Sequence, residues 1–213
     1  MSATETMNLH RDGYAVLHNW ITIPERELTA FQKRAADADP IFNGPGRNDR
    51  RRRQLTLKPR DGTWLATIRH RLAAEFGSTG HTPAGFVLLA SDPGCARQAA
   101  HQDYVPDDAL LATPDDSMPL LFLLALEPDT ALDVWPGSHR ATERIERTTL
   151  RLGPGDAVLF RGDLIHAGSA YETAPNCRIH VYLDHLSVPR APNRTWIVRK
   201  HGSAADCERI AED

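Results

Sequence analysis

The chain is short of cysteine, of long apolar runs and of excess charge of either sign, and each shortage excludes a class of protein. Its three cysteines, Cys95, Cys177 and Cys207, are odd in number, widely separated and form no Cys-x-x-Cys pair. That pattern argues against a disulfide framework or a zinc ribbon and for a reducing compartment. The longest apolar stretch, Leu120 to Leu126, is too short for a membrane helix. Met1 to His10 lacks a basic start followed by an apolar run, so no secretory leader is expected. A formal net charge of −3 with 41% hydrophobic residues fits neither a nucleic-acid binder nor a disordered chain. The expectation is a soluble, cytoplasmic protein without a membrane partner. Its 213 residues suit one domain with a sizeable core.

Two patterns divide the chain. Asp12-Gly13 reads as a turn into a short strand, Tyr14 to Leu17. Pro24 then opens a helix with Glu25 and Glu27 in its first turn and Leu28, Phe31 and Ala35 on one face, ending near Asp39-Pro40. Residues 43 to 54, rich in Gly, Pro, Asn and Arg, read as a loop. A second helix is predicted over Thr63 to Phe76, with Trp64, Leu65, Ile68, Leu72 and Phe76 on one face and Gly77 as its stop. After Pro83 the pattern changes to short strands. These are Gly85 to Ala90, Gln98 to Asp103, Leu120 to Leu126, Leu132 to Trp135, Thr148 to Leu152, Ala157 to Phe160, Ile165 to Ser169 and Cys177 to Leu183. Many short strands punctuated by Pro and Gly argue for a sandwich or barrel, with the helices layered on one sheet. The fold class is mainly β with flanking helices (α+β). A single domain over 1–213 is expected: a mainly helical 9–80, a β core over 84–185 and a C-terminal extension over 186–213.

Four polar signals follow in order within the β part. They are His101-Gln102-Asp103, Pro136-Gly137-Ser138-His139, His166 and Arg178. A histidine and an aspartate two apart on a strand point to the same face. His166, 63 residues beyond Asp103, adds a second imidazole. Two histidines and one carboxylate are the facial set that holds non-haem Fe(II) and leaves the opposite side open. Arg178, 12 residues further on, offers a planar fork suited to a carboxylate.

Several of these segments resemble the phytanoyl-CoA dioxygenase-like family of Fe(II)/2-oxoglutarate oxygenases. They are Asp12 to Leu17, His101-Gln102-Asp103, Leu132 to Arg140 around Pro136-Gly137-Ser138-His139, and Gly155-Asp156 to His166, within a span from about Leu9 to His185. The resemblance implies a double-stranded β-helix (jelly-roll, cupin-like). It implies Fe(II) on His101, Asp103 and His166, with Arg178 on the distal carboxylate of 2-oxoglutarate and O2 as oxidant. The implied activity is that of an oxidoreductase, a dioxygenase that hydroxylates or otherwise oxidises a small metabolite and releases succinate and CO2. Asp103 favours this over halogenation, since related halogenases have a small residue there. Many family members place Ser or Thr two residues after the distal histidine to help hold the co-substrate; this chain has Gly168, with Ser169 one step later.

Other residues carry two readings each. Gln98 and Ser169 are candidate 2-oxoglutarate contacts. Trp135 and His180 are candidate substrate contacts or packed core residues, and His139 reads as a structural part of its motif. The run Arg47, Arg50, Arg51, Arg52, Arg53, Lys58, Arg60 is either a solvated loop or a positive rim, led by Arg50, for an anionic small molecule. Two rival functions remain at this point. A nucleic-acid demethylase of the same chemistry is disfavoured, since no second arginine follows Arg178 before Arg190. A non-enzymatic cupin-like metal binder is the other. Substrate identity and oligomeric state leave no trace in the sequence.

Overall fold

The computed structural model describes residues 3–44, 47–58, 62–104, 110, 112–140, 145–188, 194–198 and 207–211. Helix α1 (Ala3–Asp12) leads into strand β1 (Tyr14–Leu17), and helix α2 (Glu25–Ala35) follows. Strands β2 (Asp39–Gly44) and β3 (Arg47–Leu57) form a hairpin before helix α3 (Thr63–Phe76). Then come β4 (His81–Ser91), β5 (His101–Gln102), β6 (Leu120–Ala125), β7 (Thr130–Val134), β8 (Thr148–Leu152), β9 (Ala157–Arg161), β10 (His166–Gly168) and β11 (Asn176–His185). Strands β12 (Arg194–Val198) and β13 (Cys207–Ala211) close the chain.

These strands make two antiparallel sheets, a seven-stranded one in the order β1-β9-β6-β11-β4-β3-β2 and a six-stranded one in the order β13-β12-β5-β10-β7-β8. The sheets face each other as a jelly roll. Strand alternation sorts the large sheet's residues between two apolar layers. On its outer face Phe122, Leu124, Leu159, Ile179 and Val181 pack with Phe31, Trp64, Ile68 and Leu72 of α2 and α3. Leu121, Leu123, Val158 and Phe160 face inward and meet Leu132, Val134 and Leu152 of the small sheet. Each such fully buried side chain contributes about 1.5–3 kcal/mol over its exposed state. Both helices thus form because one stripe of each finds the outer face of the large sheet.

One expectation fails. Residues 47–54 are not a loop, because β3 runs from Arg47 to Leu57 between β2 and β4. Composition misleads here because an arginine has a long aliphatic stem and a head that can find carbonyl partners inside the structure. Arg53 donates from Nη1 to Ala35 O (2.8 Å) at the C-terminal end of α2 and from Nη2 to Asp92 (2.6 Å). Arg51 donates to Gly94 O (3.1 Å). The expected strand Gln98 to Asp103 is shortened to β5 alone. Helix α1 and strands β12 and β13 were not foreseen. The side chains of Arg47 and Cys207, and Arg60 and Arg190 as a whole, lie outside the described residues.

Candidate metal centre

Strands β5 and β10 pair antiparallel with His101 directly opposite His166, and β10 pairs on its other side with β7. This rung places two imidazoles from distant parts of the chain side by side, with ring centroids 4.4 Å apart. Asp103, just beyond β5, puts Oδ1 3.6 Å from His101 Nε2 and 3.7 Å from His166 Nε2. One ligand atom from each of the three lies within 4.8 Å of the others. All three side chains are nearly buried.

The two rings are held in the tautomer a metal needs. His101 Nδ1 bonds to Ala99 O (2.8 Å) and His166 Nδ1 to Leu164 O (3.0 Å). A carbonyl only accepts, so each Nδ1 carries the proton and each Nε2 presents a lone pair. Burial, and then the neighbouring His166, push the His101 pKa down to about 3, which keeps the ring neutral. Phe42 packs edge-on against His101 (5.1 Å) and Phe160 against His166 (4.9 Å), so aromatic walls fix both rings. Two buried imidazoles and a carboxylate with ligand atoms this close fit Fe(II) well.

Arg178 and His180 project from β11 on the face opposite the triad strands. His180 Nε2 lies 3.6 Å from Asp103 Oδ2, so this histidine borders the site. Arg178 is buried and donates to Ser91 Oγ (3.1 Å), with its guanidinium 5.5 Å from the Tyr171 ring centre. Arg52 of β3 lies beside it. It is fully buried and its Nη1 sits 3.4 Å from the same Ser91 Oγ. Burial first, and the charge of Arg178 second, lower the Arg52 pKa to about 10. Among the described residues neither guanidinium has a carboxylate within ion-pair distance. Unpaired buried charges cost several kcal/mol each, a cost that an anion bound at this corner would offset.

The other candidates separate. Gln98 makes a reciprocal pair with Gly168: its backbone N–H donates to Gly168 O (3.0 Å) and its Oε1 accepts from Gly168 N (3.1 Å). Its Nε2 donates to Phe42 O (3.0 Å), tying β2 to the site. Ser169 turns away, donating to Asp133 Oδ1 (2.9 Å) on the outer face of the small sheet. There a groove of about 610 Å³, lined by Arg97, Arg147, Arg151 and Asp133 among others, lies behind the triad rather than over it. Trp135 is half-buried, and its backbone N–H donates to Ile165 O (3.0 Å). Ser138 Oγ accepts from Ile165 N (2.9 Å) and His139 Nε2 bonds to His10 O (3.1 Å). The Pro-Gly-Ser-His turn therefore braces the segment that enters His166. Arg50 is exposed to solvent. Sequence reasoning missed Arg52 as an interior residue. Once β3 is known to be a strand, its pairing opposite Ser91 reveals it.

Comparisons with known proteins agree with this architecture. No family model and no curated relative matches the chain in sequence. Solved structures do match. HygX from Streptomyces hygroscopicus, solved with nickel and 2-oxoglutarate bound, aligns with a TM-score of 0.67 at 14% identity over 87% of this chain and 88% of that one. The non-heme alpha ketoglutarate dependent carbocyclase SnoK from nogalamycin biosynthesis aligns at 0.65 and 14% identity, over 92% and 86%. EctD from S. alaskensis, with bound Fe, aligns at 0.63 and 20% identity, over 90% and 79%. At these identities the likeness defines the fold. The chain is a double-stranded β-helix that encloses a two-histidine, one-carboxylate donor set.

Proposed function

We propose that this chain is an Fe(II)- and 2-oxoglutarate-dependent oxygenase, related to the phytanoyl-CoA dioxygenase-like enzymes, that oxidises a small molecule. One observation carries this reading: the His101–Asp103–His166 triad lies against strand β11, whose His180 reaches Asp103 and whose buried Arg178 has no carboxylate partner among the described residues. His101, Asp103 and His166 would hold the metal. Arg178 would hold the distal carboxylate of 2-oxoglutarate by a bidentate, charge-assisted pair. When bound, the iron and co-substrate supply oxidation by O2 with release of succinate and CO2.

The protein's own groups do the rest. The carbonyls of Ala99 and Leu164 orient the two imidazoles, while Phe42 and Phe160 exclude water beside them. His180, beside Asp103, would touch the substrate. The arginine strand gives less support to an anionic substrate than its composition implied, because Arg52 and Arg53 have internal partners. A small molecule without a required charge fits better than nucleic acid.

The test is a metabolite panel screened for substrate-stimulated succinate release by the iron-loaded protein. Stimulation abolished by Asp103→Ala supports the reading. Failure of the protein to bind Fe(II) or Mn(II) would refute it and leave a metal-free jelly roll.

A further inference from the structure

We propose that Arg52 is a second anchor for the distal carboxylate of 2-oxoglutarate, working in the space that Gly168 leaves open. This inference rests on the oxygenase reading above. It adds a positioning residue that the resemblance does not supply.

Three observations converge on it. The first is location. Arg52 and Arg178 come from different strands, β3 and β11, yet both reach Ser91 Oγ, at 3.4 and 3.1 Å. Two cations drawn to one neutral hydroxyl repel each other unless an anion sits with them. The second is an incomplete set of hydrogen bonds. Arg52 Nη2 donates to Ala96 O (2.9 Å) and Ser169 O (2.7 Å), which fixes the head of the side chain. Its Nε is buried with no acceptor. A buried N–H of a charged group is rarely left so, and a carboxylate oxygen would complete it.

The third is the match between Arg52 and Gly168. A Cβ on Gly168 would lie 2.5 Å from Arg52 Nη1 and 2.5 Å from Gln98 Oε1. Any side chain at 168 must therefore displace the guanidinium or the Gln98–Gly168 pair. The absence of a side chain at 168 thus leaves the room that the guanidinium fills. Ser169, the nearest hydroxyl in sequence, bonds to Asp133.

A purely structural brace is the competing explanation, since Arg52 also ties carbonyls of two segments together. The two are separated by probes that differ only at the distal end. With Mn(II)-loaded protein, isothermal titration would measure 2-oxoglutarate and 2-oxopentanoate, which keeps the metal-binding keto acid and lacks the distal carboxylate. Arg52→Met should weaken 2-oxoglutarate binding about 10- to 100-fold, the loss expected for a charge-assisted contact, and leave 2-oxopentanoate within about twofold. Gly168→Ala, which keeps Arg52 but crowds it, should weaken 2-oxoglutarate about tenfold with the same selectivity, and it stands in if Arg52→Met does not fold. Equal effects on both probes, or none on either, overturn the proposal while Arg178→Met still loses 2-oxoglutarate. Absence of 2-oxoglutarate binding by the unmodified Mn(II) protein overturns the oxygenase reading itself.

Discussion

His101 and His166 face each other across a single rung between β5 and β10, and each ring is fixed by a carbonyl two residues earlier in its own chain. The same local geometry repeated on two strands delivers both Nε2 atoms to Asp103. Among the described residues only these three gather ligand atoms this closely. His101→Ala, Asp103→Ala and His166→Ala should each lower Mn(II) affinity by more than about 100-fold, with circular dichroism unchanged. Normal affinity in any one of them would remove that residue from the metal site.

Arg178 should separate metal binding from diacid binding. Arg178→Lys keeps the charge but not the planar fork, and Arg178→Ala keeps neither. Titration of the Mn(II) protein should find 2-oxoglutarate weakened in the first and weakened further in the second. Mn(II) affinity should hold in both. Undiminished 2-oxoglutarate binding in Arg178→Ala would assign the distal carboxylate elsewhere.

The arginine strand should divide residue by residue. Arg53→Met removes the contacts to Ala35 O and Asp92 and should cost about 1–3 kcal/mol in urea unfolding. Arg50→Gln, at an exposed position, should stay within about 0.5 kcal/mol. Equal losses from the two would mean that the contacts of Arg53 to Ala35 and Asp92 add nothing to stability.

Acid should destabilise the fold through histidines away from the metal. His81 is depressed below its usual 6.5 mainly by burial, and His139 by burial and then by Arg161. The unfolded chain therefore binds more protons than the folded one below about pH 6.5. Their contribution is fully present above that pH and is lost as pH falls toward the folded values, by up to about 1.4 kcal/mol per pH unit for each group. Replacing either with glutamine should flatten the curve of urea midpoint against pH below 6.5. An unchanged curve would mean that neither ring stays neutral in the folded state.

The His101–Asp103 pair and α3 were legible because each depends on a short spacing. His101 and Asp103 are two apart, and the face from Trp64 to Phe76 repeats at helical intervals. A sandwich or barrel could be read from the rhythm of short strands, and the resemblance narrowed it to a jelly roll. What escaped depends on contacts between segments far apart in the chain. Arg52 lies among charged neighbours that look like solvent-facing residues, and only its pairing opposite Ser91 places it inside. Ser169 is next to the expected position, yet one residue along a strand reverses the direction of a side chain. Asp133, which claims its hydroxyl, is 36 residues away.

The triad belongs to the small sheet, and Arg178 with Arg52 to the large one. Between Leu121, Leu123, Phe160 and Val134 the two sheets are already glued by apolar side chains. At the polar end they are joined by the hydrogen bonds from Arg52 to Gly168 O and Ser169 O, and a diacid gripping metal at one end and arginine at the other would act as a further rivet between sheets. The barrel would then be half a machine part and half a lock: firm at its apolar end always, firmer at the other when loaded. Ligand at about 100 times its dissociation constant would add roughly 2.7 kcal/mol to the fold, concentrated in the amides where β11 meets β4 and β6.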